Sequence, residues 1–178
     1  DVGPMQAISE SQSRFFENVI GRSLPFWQAM YPTFQRSFAP HFDRVRVEAF
    51  YRAINHVEPG LIRVEADEVT YGLHIMLRFE LENALMNGRT QVADLPREWN
   101  DRMEAYLGIR PPTDRDGVMQ DIHWSQGMIG YFPDYLLGSM FSVQLWEAMK
   151  DALPDVEAQV ARADFGKVLA WQQEQHLS

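Results

Sequence analysis

The chain has 178 residues, 46% of them hydrophobic, with a formal net charge of −9 and no cysteine. That is enough apolar material for a folded domain with its own core, so an intrinsically disordered chain is excluded. The acidic balance argues against a nucleic-acid or anionic-membrane partner, each of which calls for a basic face. The missing thiols exclude disulfides, thiolate metal sites and a cysteine nucleophile, and they fit a reducing, cytoplasmic location.

The hydrophobic period is helical nearly throughout, and the expected class is all-α, in a single domain over residues 1–178. Ser9 reads as the N-cap of a first helix, with Gln12 at the capping-box position, an apolar face of Phe15, Phe16, Val19 and Ile20, and a stop near Gly21. Pro25 suits the first turn of a second helix that buries Phe26, Trp27 and Met30. Asp43 is the expected N-cap of a third, carrying Val47, Phe50, Tyr51 and Ile54. Pro59-Gly60 breaks the pattern.

The longest helix is expected from about Arg63 to Asn87, with Gly88 as its stop. Asp94 and Pro96 open a helix with Trp99, Met103 and Tyr106, ended by Gly108, and Pro111-Pro112 starts a loop that runs to about Gly117. Tyr131 to Lys150 reads as another long helix, and Pro154 and Asp164 mark the starts of two last ones. No strand pattern bounded by hairpin turns is visible. No stretch approaches the roughly 18 consecutive apolar residues of a membrane span, and no secretory signal is visible. The first residue is Asp1 rather than Met, so an upstream part is expected.

Polar residues stand out on the longest helix. Arg63, Asp67, Thr70, His74 and Arg78 fall within roughly an 80° sector at about 100° per residue. The stripe fits a solvated face with an ordinary ion pair, or a polar cavity in which the charges must pair or meet a ligand. A second cluster, Gly117 to Trp124, brings Gln120, Asp121, His123 and Trp124 together after a loop. His123 suits a proton donor or an oxyanion stabiliser that Asp121 orients, or else a satisfied structural histidine. Tyr131 and Tyr135 are four apart, on one helical face, and read as packing anchors. A third cluster, Ser9 to Arg14, reads on its own as a helix start. No two of the five histidines have the spacing of a zinc helix, and no HExxH is present.

Taken together, the clusters resemble the signature blocks of the M32 metallocarboxypeptidases. Ile62-Arg63-Val64-Glu65-Ala66-Asp67 matches the family's Ile-Arg-x-x-Ala-Asp, and Gly117, Gln120, Asp121, His123 and Trp124 match Gly-x-x-Gln-Asp-x-His-Trp. Ser9-Glu10-Ser11-Gln12 matches the His-Glu-Ser/Gly-Gln block, with serine in place of histidine. The flanks agree as well, among them Phe50-Tyr51-Arg52-Ala53 and Gly130-Tyr131-Phe132-Pro133, so the resemblance covers essentially the whole chain.

The resemblance implies the C-terminal helical part of a groove-shaped gluzincin metallopeptidase. It implies cleavage of single residues from peptide C-termini with a divalent metal, usually zinc. The metal is then held by the two histidines of HExxH and by the glutamate that matches Glu10, with the HExxH expected upstream of Asp1. On matching positions, Arg63 is expected to grip the substrate's terminal carboxylate, with Asp67 holding Arg63. His123 and Tyr131 are expected to stabilise the tetrahedral oxyanion, and Gln120 and Asp121 to support the substrate site. With one plausible metal ligand the chain alone is expected to bind no metal and to be inactive. A homodimer, or pairing with its own N-terminal part, is expected to cover its apolar surface. The alternatives are a catalytically dead homologue that binds peptides or partners, and an unrelated all-α interaction module.

Overall fold

The computed structural model describes residues 4–177, and among these it contains eight α-helices and no strand, as expected of an all-α chain. In order they are α1 (Pro4–Arg14), α2 (Leu24–Ser37), α3 (Val47–Ile54), α4 (Glu68–Met86), α5 (Leu95–Leu107), α6 (Phe132–Ala152), α7 (Val156–Val160) and α8 (Gly166–Leu177). A π-helical turn, Phe15–Ile20, continues α1, and short 3-10 turns stand at Arg63–Glu65, Val92–Asp94 and Trp124–Gln126.

The chain divides into two compact units. The first holds the residues up to Glu10 together with His56–Leu137; the second holds Ser11–Asn55 and the residues from Gly138 on. The core of the second unit is Phe15, Ile20, Met149, Val156, Val160 and Val168, with Phe26, Trp146, Phe165 and Trp171 packed around it. Ser23 caps α2 by accepting from the Phe26 amide, and Pro25 sits in the first turn, where a missing N–H costs nothing. Across α2 and α3 the rings of Trp27 and Phe50 meet edge-on with centroids 4.5 Å apart.

In the first unit α4 packs along α5. Leu77, Leu81, Leu95, Trp99, Met103 and Leu107 make its core, and each of the fully buried ones contributes about 1.5–3 kcal/mol by leaving water. The C-terminus of α4 closes as a Schellman motif: Gly88 is left-handed at φ 66°, its amide donates to Leu85 and the Arg89 amide donates to Ala84. This pair of helices is the frame on which the charged residues of the unit are carried.

Three helix starts differ from the sequence expectation. α1 already begins at Pro4, so Ser9 lies inside it rather than capping it. α3 starts after Arg46, whose extended backbone is the N-cap position; Asp43 stays in the preceding turns. The expected helix from Arg63 is interrupted: Arg63 sits in a 3-10 turn, Ala66 is extended, and α4 starts at Glu68. The Asp67 carboxylate accepts from the amides of Val69 and Thr70, both at 2.9 Å, and these bonds begin the helix where the spacing alone suggested continuity.

Candidate functional site

The polar stripe is buried. Thr70, His74 and Arg78 all face the interior of the first unit, and His74 and Arg78 are 0% exposed, which rules out a solvated face. A buried guanidinium must be paired, and the loop from Gly117 to Trp124 supplies the partner. Asp121 Oδ1 accepts from Arg63 Nε at 3.0 Å and Nη2 at 2.7 Å, and Oδ2 accepts from Arg78 Nε at 2.6 Å. Burial alone would raise the Asp121 pKa, but the two arginines outweigh it and hold the carboxyl below its ordinary range. Burial likewise lowers Arg78, to about 10, against the pull of Asp121. For Arg63 the bonds to Asp121 and Tyr71 win over burial and raise its pKa.

Aromatic rings wall this charged cluster. The Arg63 guanidinium lies 5.0 Å from the Tyr135 ring and 5.8 Å from Phe132, and Arg78 stacks 4.5 Å over Trp99. Tyr71 Oη accepts from Arg63 Nη1 at 3.1 Å. Arg63 thus spends three of the five donors of a guanidinium on Asp121 and Tyr71.

Gln120 fixes the backbone that carries this arginine. Its Oε1 accepts from the Arg63 amide at 2.8 Å, while Nε2 donates to the carbonyls of Leu61, Asp116 and Gly117. Asp67, expected to hold Arg63, serves as the helix cap. Its Oδ2 accepts from Thr70 Oγ1 and from the Glu58 amide, and Asp121 makes the ion pair with Arg63. Burial works to raise the Asp67 pKa, but the bonds from Thr70, Glu58 and Val69 keep it below its ordinary value. The structure therefore brings Arg63, Gln120 and Asp121 together and sets Asp67 at the head of α4 beside them.

His123 lies next to this cluster, its Nδ1 3.9 Å from Asp121 Oδ1. Its Nε2 is 3.0 Å from the Tyr135 hydroxyl. Burial, reinforced by Arg63 and Arg78 against the pull of Asp121, lowers the His123 pKa, so the ring is neutral. Burial, then the neighbouring Tyr131, pushes Tyr135 up to about 12, so that hydroxyl keeps its proton. At 3.9 Å from Asp121, Nδ1 has no hydrogen-bond partner among the described residues, and the direction of the Nε2–hydroxyl bond is set by the ring's tautomer. Tyr131 touches the same assembly by ring contact, 5.6 Å from His123 and 5.2 Å from Tyr135. Glu10 also reaches the group: its charge is among the influences that raise Tyr135.

Two residues of the assembly were given no site role from the sequence. Tyr135, read there as a packing anchor, holds the hydrogen bond to His123. Glu82 is one further four-residue step along the stripe beyond Arg78; it is buried, and its carboxylate bonds Trp124 and Gly130. The first was visible as the i+4 neighbour of Tyr131, the second as a continuation of the stripe past the point where it was cut off.

Among the described residues no group of three His, Asp or Glu side chains converges to hold a metal ion. A catalytic zinc takes three protein ligands, so Glu10 does not by itself make a metal site. No helix of the described residues is long and apolar enough to cross a membrane.

Residues 3–177 match the family model described as carboxypeptidase Taq (M32) metallopeptidase. Carboxypeptidase 1 of Bacillus subtilis is 44% identical over 169 residues, covering 95% of this chain and 34% of its own length. Thermostable carboxypeptidase 1 of Pyrococcus furiosus is 46% identical over 172 residues, covering 97% of this chain and 34% of its own length. The crystal structure of an M32 carboxypeptidase from Deinococcus radiodurans superposes with a TM-score of 0.90 at 42% identity, over 95% of this chain and 34% of that one. The chain thus spans about a third of the length of the relatives it matches. With the family model matching residues 3–177, the chain belongs to the M32 family of metallocarboxypeptidases.

Proposed function

We propose that this chain forms the substrate-gripping side of a metal-dependent carboxypeptidase and that Arg63 receives the peptide's C-terminal carboxylate. The observation that carries this reading is the setting of Arg63. Its guanidinium is held by Asp121, sits among the rings of Tyr71, Phe132 and Tyr135, and keeps two N–H donors beyond those spent on Asp121 and Tyr71. A carboxylate fits two remaining guanidinium donors and the excess positive charge of two arginines over one aspartate.

His123 and the tyrosine beside it are then available to stabilise the oxyanion of the tetrahedral intermediate. Tyr131 fills that role in the family-based assignment, and Tyr135 is an additional candidate because its hydroxyl bonds His123. Gln120, Asp121 and Asp67 shape the site and act through Arg63 and the head of α4. Glu10 is the metal ligand this chain contributes, zinc or another divalent ion being the expected cofactor of the whole enzyme. The chain alone is inactive for want of the other ligands. The absence of cysteine fits a cytoplasmic enzyme.

Calorimetric titration of the chain with a short peptide and with its C-terminal amide tests the grip. The free carboxylate should bind more tightly, and Arg63→Gln should erase the difference. Equal binding of the two peptides by the unsubstituted chain overturns the assignment. Addition of zinc followed by an assay for released C-terminal residues tests the inactivity: metal-dependent turnover by the chain alone sinks it.

Ser9, standing where the family block has histidine, favours a second reading, a homologue that binds peptide C-termini without cleaving them. An intact family polypeptide carrying this chain that binds peptides but shows no turnover with metal supplied would decide for it.

The remaining partner is protein. Val69, Met76, Phe79 and Met86 are exposed along one side of α4, roughly opposite its buried polar stripe at 100° per residue. A second copy of the chain, or the rest of the family polypeptide, covers this ridge.

A further inference from the structure

The geometry points to Glu82 as a positioning residue that sets the register of His123 and Tyr131, through a clamp on both ends of the Trp124–Gly130 loop. This rests on the reading above only in taking His123 as part of the functional site.

Glu82 is buried on α4, one turn beyond Arg78. Its Oε2 accepts from the Trp124 indole Nε1 at 2.8 Å, and its Oε1 accepts from the Gly130 amide at 2.6 Å. Those two donors bracket a short loop: the 3-10 turn Trp124–Gln126, then Gly127 and Gly130, both left-handed at φ 72° and 83°. A loop with two left-handed glycines has little torsional reason of its own to hold one shape. The carboxylate is what ties its ends together.

The functional groups lie immediately outside the clamp. His123 precedes Trp124 and Tyr131 follows Gly130, so each clamped residue is a chain neighbour of a site residue. The Met128 amide donates to the His123 carbonyl at 2.9 Å, which closes the loop back on the histidine. Trp124 also sets its ring edge-on against Phe132 at 5.9 Å, and Phe132 packs 4.4 Å from the His123 ring. Displacement of Trp124 is therefore passed to His123 by the backbone and by one intervening ring. Only a carboxylate can accept at both ends: the glutamine amide has one acceptor oxygen and would turn an N–H₂ donor toward a second donor.

The test uses the full chain labelled with 15N-histidine and 15N-tryptophan. In the unsubstituted protein the His123 imidazole, held by the Tyr135 hydroxyl, should report one tautomer. Glu82→Gln should move those resonances toward the average of a freely exchanging ring and shift the Trp124 indole N–H. Glu80→Gln, which removes a carboxylate of the same helix that bonds Tyr106 rather than the loop, should leave the His123 resonances in place. Unchanged His123 resonances in a folded Glu82→Gln protein, or an equal shift in Glu80→Gln, overturn the inference. Should Glu82→Gln fail to fold, Trp124→Phe releases one end of the clamp alone; it should shift His123 partway, and no shift overturns the inference. The readout needs no turnover. Loss of carboxylate-selective binding as a property of the chain would sink the functional reading while leaving the clamp intact.

Discussion

Asp121 Oδ1 receives both the Nε and the Nη2 of Arg63, at 3.0 and 2.7 Å, so the guanidinium fork closes on a single oxygen. This leaves the other oxygen of the same carboxylate for Arg78, and one aspartate neutralises part of two buried cations. Removing one member of a buried ion cluster costs far more than the cluster itself contributes, because the stranded charges cannot reach water. Asp121→Asn should therefore destabilise the protein by about 3–5 kcal/mol, an effect read as a fall in the urea midpoint. A loss below about 1 kcal/mol would show that Arg63 and Arg78 find other partners or water.

The pH dependence of stability should carry the mark of His74. Its enclosed ring donates from Nε2 to the Gly60 carbonyl at 3.1 Å, and burial, then Arg78, pushes its pKa from 6.5 to about 4. A depressed histidine pKa means that the unfolded chain takes up the proton first as pH falls. The contribution is complete above about pH 6.5, is lost progressively toward about pH 4, and amounts to on the order of 3 kcal/mol. His123, also lowered, has the same sign, while the lowered carboxyls Asp67 and Asp121 lose their share at still lower pH. In His74→Gln the slope of the unfolding free energy against pH should flatten between about pH 6.5 and 5. An unchanged slope assigns the acid sensitivity to other groups.

The helical class and most helix ends were legible because proline, glycine and the 3.6-residue period mark them directly. Gly88 and Gly108 end helices where expected, and Pro25 opens α2. The start of α4 was not legible. Asp67 occupies a position in the stripe that an unbroken helix would also fill, and spacing cannot tell a helix interior from an N-cap one turn further on. Ser9 failed for the reverse reason, since a good capping residue can lie in a helix that Pro4 has already begun. In the site, Arg63, Gln120 and Asp121 were found through linear blocks. Glu82 and Tyr135 were not, because their partners lie 42 and 12 residues away and only the fold brings them together.

Two glycines should respond differently to alanine. At Gly88 the residue is left-handed but a Cβ would meet nothing within 4 Å, so Gly88→Ala should cost only the torsional preference, about 1 kcal/mol. At Gly21 a Cβ would lie 2.8 Å from the Glu17 carbonyl oxygen and 2.9 Å from that of Phe16, the oxygen that accepts the Gly21 amide. Backbone oxygens cannot swing aside, so Gly21→Ala should disrupt the end of the π-helical turn Phe15–Ile20 and cost more than Gly88→Ala. Thermal unfolding of the two variants side by side checks the order, and a Gly21→Ala protein as stable as Gly88→Ala would show that the turn can rewind to an ordinary helix.

The ridge on α4 yields the last prediction. Val69 is 67% exposed and Phe79 48%, while Leu77 and Leu81 on the same helix are fully buried. Substitution on the exposed side should be nearly silent for folding: Phe79→Ser is expected to change stability by about 0.5 kcal/mol or less. Leu77→Ser, which removes buried apolar volume and adds a hydroxyl without a partner, should cost on the order of 3 kcal/mol or more. Association should show the reverse order. If a second copy covers the ridge, light scattering of the unsubstituted chain should give a mass that rises with concentration, and Phe79→Ser should lower it at no cost in thermal stability. A chain that stays monomeric over the whole range removes the second copy as the occupant and leaves the rest of the family polypeptide as the partner for this face.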